Sequence, residues 1–166
     1  MNTEITFELE RKIKNLKLIA TDFDGVWTDG KVIFCQDGTE SVICSRKDTL
    51  RVKDIKATGI KLFVISKESN PVVMARCQKM SIDCWQGVDD KLSLLKKLLE
   101  KEGVTSYEAA FVGDDINDLE CLRFVDLPLT VADGHDACKK VALYVTLRKG
   151  GDHAMREIFD LILSLR

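Results

Sequence analysis

Short, almost wholly apolar runs alternate along the chain with stretches of helical periodicity, and this rhythm limits the fold more than any other feature. Residues 16–23, 60–66, 82–85, 109–113, 129–132 and 142–145 read as strands. Residues 48–58, 71–80, 89–101, 116–125 and 155–165 read as helices. Within the third of these, Leu92, Leu95, Leu98 and Leu99 share one face. Gly59 stands where a helix C-terminal glycine would. Strands with no polar alternate face are buried on both sides. Interleaved with helices, they build a parallel sheet covered on both faces. The expected class is therefore α/β, a doubly wound, mostly parallel, Rossmann-like sheet. One insertion breaks the rhythm. Residues 31–34 and 40–44 flank Gln36-Asp37-Gly38-Thr39, and Asp-Gly between β-rich runs predicts a hairpin over 31–44.

A chain of 166 residues accommodates one such sheet and little more. Residues 1–15 read as a polar leader, open to helix formation, and residues 16–166 as one domain. Neither interval 25–66 nor 66–91 is long enough for a separate cap domain. A hydrophobic fraction of 45% with 31% charged residues supports a packed core and excludes a disordered chain. The net charge of −2 supplies no basic field for nucleic acid or an anionic membrane. No apolar run reaches the length of a membrane span, and residues 1–17 lack the apolar centre of a signal peptide. A cytoplasmic protein is expected. Cysteines 35, 44, 77, 84, 121 and 138 form no C-x-x-C pair, and only two histidines are present. This argues against zinc and a disulfide framework, and for reduced, mostly buried thiols.

In a sheet of this kind ligands bind beyond the carboxyl ends of the strands. The first strand delivers Asp22 and Asp24 there, and the second delivers Ser66. Lys91 opens the following long helix, and the strand at 109–113 delivers Asp114, Asp115 and, one turn on, Asp118. Each has an ordinary reading. Asp-x-Asp-Gly is a common turn, Ser66 a helix cap, Lys91 a solvated helix residue, and Asp114-Asp115 a cap for the next helix. Together, at successive strand ends, five carboxylates would repel one another unless a cation joined them. All-oxygen ligation suits Mg²⁺, which shares its shell with phosphate. A hydroxyl and an ammonium beside it suit the remaining phosphoryl oxygens, so the set is consistent with phosphoryl transfer.

The run Asp22-Phe23-Asp24-Gly25-Val26-Trp27-Thr28-Asp29-Gly30 resembles the first motif of haloacid-dehalogenase-type phosphatases. Ser66, Lys91 and Gly113-Asp114-Asp115-Ile116-Asn117-Asp118 look like the other three. The branch resembled contains 3-deoxy-D-manno-octulosonate 8-phosphate phosphatase, 2-keto-3-deoxynononate 9-phosphate phosphatase and the carboxy-terminal domain of some acylneuraminate cytidylyltransferases. Thr28-Asp29-Gly30, the hairpin, Gln86-Gly87-Val88-Asp89-Asp90-Lys91 and Gly150-Gly151 with Arg156-Glu157 carry the likeness to the branch.

The resemblance implies a capless fold of that type and a Mg²⁺-dependent phosphatase acting on a phosphorylated sugar acid. It implies Asp22 as nucleophile and Asp24 as general acid and then base, through an aspartyl-phosphate. It implies Mg²⁺ held by Asp22, the Asp24 carbonyl and Asp114, with Asp115 supporting that shell. It gives Ser66 and Lys91 to the phosphoryl oxygens, and Asp118 to orienting Lys91 or a metal-bound water. It also implies a homotetramer, with hairpins joining subunits and each site at an interface.

Two positions depart from the branch. Arg51 stands at a usual helix glycine, and His153 replaces the third glycine of Gly-Gly-x-Gly-x-x-Arg-Glu. Arg46, Lys47 and Arg51 form a basic cluster suited either to a sugar-acid carboxylate or to a solvated helix start. The competing function is a non-catalytic assembly domain of the cytidylyltransferase type. A signalling receiver would place its acceptor Asp where Ser66 stands, and a mutase would need a cap to exclude water. Nucleic-acid binding lacks any basic stripe with interleaved aromatics.

Overall fold

The computed structural model describes residues 4–166. The first helix, α1 (Phe7–Asn15), starts at Thr6, whose hydroxyl accepts from the Leu9 amide. Leu9 and Ile13 of α1 are fully buried. Helix α1 thus docks on the core by one face, while its other faces carry the Glu10–Lys14 and Glu8–Lys12 pairs. Two apolar positions one turn apart suffice to dock a short helix. The helix to which the polar leader is open is therefore present over Phe7–Asn15.

The chain continues through β1 (Leu18–Thr21), β2 (Thr28–Phe34), β3 (Glu40–Cys44), α2 (Val52–Ala57), β4 (Lys61–Ile65) and α3 (Pro71–Met80). Then follow β5 (Asp83–Trp85), α4 (Lys91–Glu102), β6 (Ala109–Val112), α5 (Leu119–Phe124), β7 (Leu127–Thr130), α6 (Asp136–Val141), β8 (Tyr144–Val145) and α7 (Ala154–Leu165). Six strands form one parallel sheet in the order β5-β4-β1-β6-β7-β8. β2 and β3 pair separately as an antiparallel hairpin. This is the expected doubly wound sheet with its hairpin insertion.

Alternate residues of β1 face opposite cores. Ile19 joins the core that contains Leu9, Ile13, Ile55, Val73, Ile158 and Phe159, while Leu18 and Ala20 join Leu95, Leu98, Leu99 and Leu122 on the other face. Both cores are almost wholly buried, which is why the central strands β1 and β6 read as apolar almost throughout.

The expected helix over 48–58 is broken. Residues Lys47–Thr49 make a 3-10 turn and α2 begins only at Val52. The cause is Asp48, which is fully buried and accepts the Arg156 amide at the start of α7, 2.9 Å away. It serves a remote helix rather than its own. The short helix α6 has no counterpart in the sequence reading. The cysteines are all free: Cys77, Cys121 and Cys138 are buried, Cys44 and Cys84 half-buried, and Cys35 exposed on the hairpin. No helix among the described residues is long and apolar enough to cross a membrane.

Candidate active site

In the strand order, β1 lies between β4 and β6, where the connections reverse direction. The carboxyl end of β1 is therefore the switch point at which such sheets bind ligands. Asp22 leaves β1 at that point with its amide donating to the Val112 carbonyl of β6. Its Oδ1 accepts from the Phe23 amide at 2.6 Å. The turn that follows is held from below by Trp27. Its indole N–H donates to the Thr21 hydroxyl at 2.8 Å, and its ring packs against Phe159 of α7.

Gly25 at φ +82° brings the turn against Asp114, where a Cβ would stand 2.0 Å from the Asp114 carboxylate. Behind it, a Cβ on Gly150 would stand 1.7 Å from the Gly25 carbonyl. Glycine is required at both places by close backbone approach. Thr28, fully buried, accepts from the Gly25 and Gly30 amides and donates to Asp24 Oδ1 at 3.2 Å. It orients the Asp24 carboxyl, a role the motif contained but the residue type alone did not announce.

Lys91 is the centre of the site. Asp90 caps α4 by accepting from Ser93, which sets Lys91 as the first residue of the helix. Its side chain runs inward, and Nζ lies 2.7 Å from both Asp22 Oδ2 and Asp118 Oδ1. Lys91 is only 3% exposed, so the reading as a solvated helix residue fails. Asp118 Oδ2 accepts the Asp114 amide at 3.0 Å. Both oxygens of Asp118 are thus engaged, and it acts as an orienting group for Lys91 and for the 113–115 turn.

The alternatives for the other residues separate just as clearly. Asn70, not Ser66, caps α3, accepting from the Val72 amide. Ser66 is buried at the end of the cleft, and its Oγ accepts the Glu68 amide. Asp115 does serve its own turn, accepting the Ile116 amide at 2.7 Å, and is exposed. Asp114 does not: its Oδ1 is buried and has no hydrogen-bond partner.

Oxygens of Asp22, Asp114 and Asp118 all lie within 4.8 Å of one another. Burial, and then Asp118, push the Asp22 carboxyl up to about 8, against the pull of Lys91. Burial, Asp118 and Asp115 push Asp114 up to about 7. Burial holds Asp24 above its ordinary range too, with Glu68 and Glu40 adding to it and Thr28 opposing. Lys91 is held above its ordinary value by Asp22 and Asp118, although burial works against it. Carboxylates so placed gain from a cation, and the unpartnered Asp114 oxygen offers a ligand for one. Hard oxygen donors of this kind suit Mg²⁺.

Asp22, Asp24, Ser66, Asp114 and Asp115 border a cleft of about 220 Å³ that also reaches Gly25, Gly30, Lys67, Glu68 and Asn117. Asp24, Gly30 and Glu68 also border a second hollow of about 220 Å³, walled by Val32, Glu40, Val42, Asn70, Val72 and Val73. The hairpin therefore flanks the mouth of the site. The sequence does not single out Lys67, Glu68, Glu40 and Asn70 as site residues, because polar residues at strand ends and in loops carry no distinguishing pattern.

The expected basic cluster does not gather at this cleft. Arg51 donates to Asp160 of α7 at 2.9 Å and to Asp54 at 2.8 Å. Its replacement of a helix glycine thus serves an ion-pair network. Lys47 is exposed on the 3-10 turn. Arg46 borders a separate groove of about 650 Å³ with Lys53, Lys56, Arg76 and Lys79. His153 takes φ +73°, the left-handed conformation that favours the glycine it replaces.

A family profile described as haloacid dehalogenase-like hydrolase matches residues 37–153. The chain is 31% identical over 160 residues to 3-deoxy-D-manno-octulosonate 8-phosphate phosphatase of Escherichia coli, covering 96% of this chain and 85% of that protein. The Moraxella catarrhalis phosphatase of the same name has been solved with magnesium, phosphate and the sugar acid. It matches at a TM-score of 0.94 and 34% identity, covering 98% of this chain and 94% of that one. A cobalt-bound phosphatase from Haemophilus influenzae matches at 0.88 and 30% identity, covering 93% and 91%. The chain belongs to the haloacid dehalogenase-like hydrolase family. The relatives it matches along almost its whole length are phosphoric monoester hydrolases.

Proposed function

We propose that this chain is a Mg²⁺-dependent phosphatase that hydrolyses a phosphorylated sugar acid, of the octulosonate 8-phosphate or nonulosonate 9-phosphate type, in the cytoplasm. The observation that carries the reading is the Lys91 ammonium bridging Asp22 and Asp118 beside an unpartnered Asp114 oxygen. Asp22, the Asp24 carbonyl and Asp114 would hold the cation, with Asp115 beside them. When bound, Mg²⁺ supplies positive charge to the phosphoryl oxygens.

The chain's own groups account for the rest. Asp22 attacks phosphorus while the bond to the sugar oxygen breaks, and that oxygen takes a proton from Asp24. Asp24 then accepts a proton from water as the water oxygen attacks the aspartyl-phosphate. The bond to Asp22 breaks and phosphate leaves. A raised Asp24 suits both halves, since it must arrive protonated and leave as a base. Ser66 and Lys91 would hold phosphoryl oxygens.

The same reading includes a homotetramer whose subunits close one another's clefts. Val32, Ile33, Phe34 and Ile43 of the hairpin are 53%, 57%, 68% and 66% exposed, more apolar surface than a free ribbon carries well. The cleft's own outer wall bears Glu40 and Glu68, which would repel a sugar carboxylate. Arg46, Lys53, Arg76 and Lys79, which have no carboxylate partner among the described residues, form a cationic surface that a neighbouring copy could present. The test is phosphate release from a panel of sugar-acid phosphates with Mg²⁺ and with EDTA. Turnover that needs Mg²⁺ and disappears in Asp22→Asn is expected. An Asp22→Asn variant as active as the parent would overturn the mechanism.

A further inference from the structure

The three residues at the metal-side turn, Gly113, Asp114 and Asp115, each have their main-chain carbonyl reached by one neighbouring segment, the Asp115 carbonyl also accepting the Asp118 amide of its own turn at 2.9 Å. The Thr130 hydroxyl donates to the Gly113 carbonyl at 2.6 Å. The His135 amide donates to the Asp114 carbonyl at 2.7 Å. The Cys138 thiol donates to the Asp115 carbonyl at 3.2 Å. Thr130 ends β7 and Cys138 lies in α6, and both are fully buried. Between them, a Cβ on Gly134 would stand 2.6 Å from the Thr130 hydroxyl and 3.3 Å from the Asp114 carbonyl. The close approach therefore depends on glycine at that place. Burial keeps the Cys138 thiol up at about 12, so it retains the proton it donates.

On the opposite edge, Asp118 Oδ2 accepts the Asp114 amide. The peptide planes on both sides of Asp114 are thus pinned, while its own Oδ1 has no partner. A ligand whose backbone is already held does not have to be ordered when the cation arrives. Supporting contacts of this kind raise metal affinity without touching the metal. We infer that residues 130–138 form a strap that presents the Asp114 carboxylate to the cation, with Thr130 as its main positioning residue and Cys138 as its second. This rests on the Mg²⁺ reading above and extends it to residues outside the four motifs.

The test is titration calorimetry of the purified full chain with MgCl₂, beside thermal melts in EDTA. Thr130→Val removes the hydroxyl at nearly constant volume, and Thr130→Ser keeps it. Thr130→Val should bind Mg²⁺ roughly ten-fold more weakly, and Thr130→Ser should restore most of that affinity. At saturating Mg²⁺, KM for a sugar-acid phosphate should be unchanged while the Mg²⁺ concentration for half-maximal rate rises. If Thr130→Val does not fold, Cys138→Ala is measured in the same way, with a smaller weakening expected from a weaker donor. Mg²⁺ affinity equal to the parent's in the folded variant would overturn the strap. So would a serine variant no better than valine. A parent that binds no Mg²⁺ would overturn the metal reading itself, and the strap with it.

Discussion

Replacing Lys91 by Met keeps most of the stem and removes the charge between Asp22 and Asp118. At an effective dielectric constant near 20, one pair of charges 2.7 Å apart is worth about 6 kcal/mol before desolvation is counted. Lys91 makes two such contacts, but burying three charged groups offsets most of that gain. What remains visible is the penalty for leaving the two carboxylates without their cation, about 3–5 kcal/mol. That is a large part of the 5–15 kcal/mol by which a typical domain is stable.

The loss must depend on pH. Asp22 already titrates near 8 with Lys91 present, and removing the ammonium moves it higher still. A carboxyl raised in the folded state stabilises the fold while protonated, and that contribution is lost as pH rises through its folded value. Urea unfolding in EDTA near pH 5 and near pH 9 reads the difference. Lys91→Met should lose about 3–5 kcal/mol at the higher pH and clearly less at the lower. A loss under about 1 kcal/mol, the worth of an exposed pair, would refute the argument. A loss equal at the two pH values would refute it as well.

The unmutated chain should show the same sign in milder form. In EDTA, Tm should fall as pH rises from the ordinary carboxylate range through about 7 and 8, where Asp114 and Asp22 titrate. Mg²⁺ should raise Tm more at high pH than at low, because it competes with those protons. His153→Gly removes a side chain from the left-handed region, and the gain there exceeds the extra chain entropy of glycine. Denaturant unfolding should show about 0.5–1 kcal/mol of added stability. Phe34→Glu combined with Ile43→Lys should reduce the sedimenting species to a folded monomer. A parent that already sediments as a single 18.7 kDa chain would refute the tetramer.

Much of this was legible before any coordinates. The apolar runs ending at Asp22, Ser66 and Asp114 announced buried parallel strands and the edge at which their chemistry meets. Strand period and burial are local consequences of residue type. The hairpin was equally plain, because Asp37-Gly38 specifies its own turn.

What the tertiary structure decided is which partner each polar group takes. Asp48 serves the start of α7 across more than a hundred residues of sequence, and so breaks the helix expected around it. Arg51 spends its charge on Asp54 and Asp160 rather than at the cleft. Lys91 is buried because its side chain runs from the start of α4 to Asp22 at the end of β1 and to Asp118. The Asp114 peptide groups are taken by Asp118 and His135, while its carboxylate Oδ1 is left without a partner. Sequence determines how each segment would like to fold and which surface it must hide. Pairing of charges and hydrogen bonds is a long-range competition, and only the packed chain resolves it.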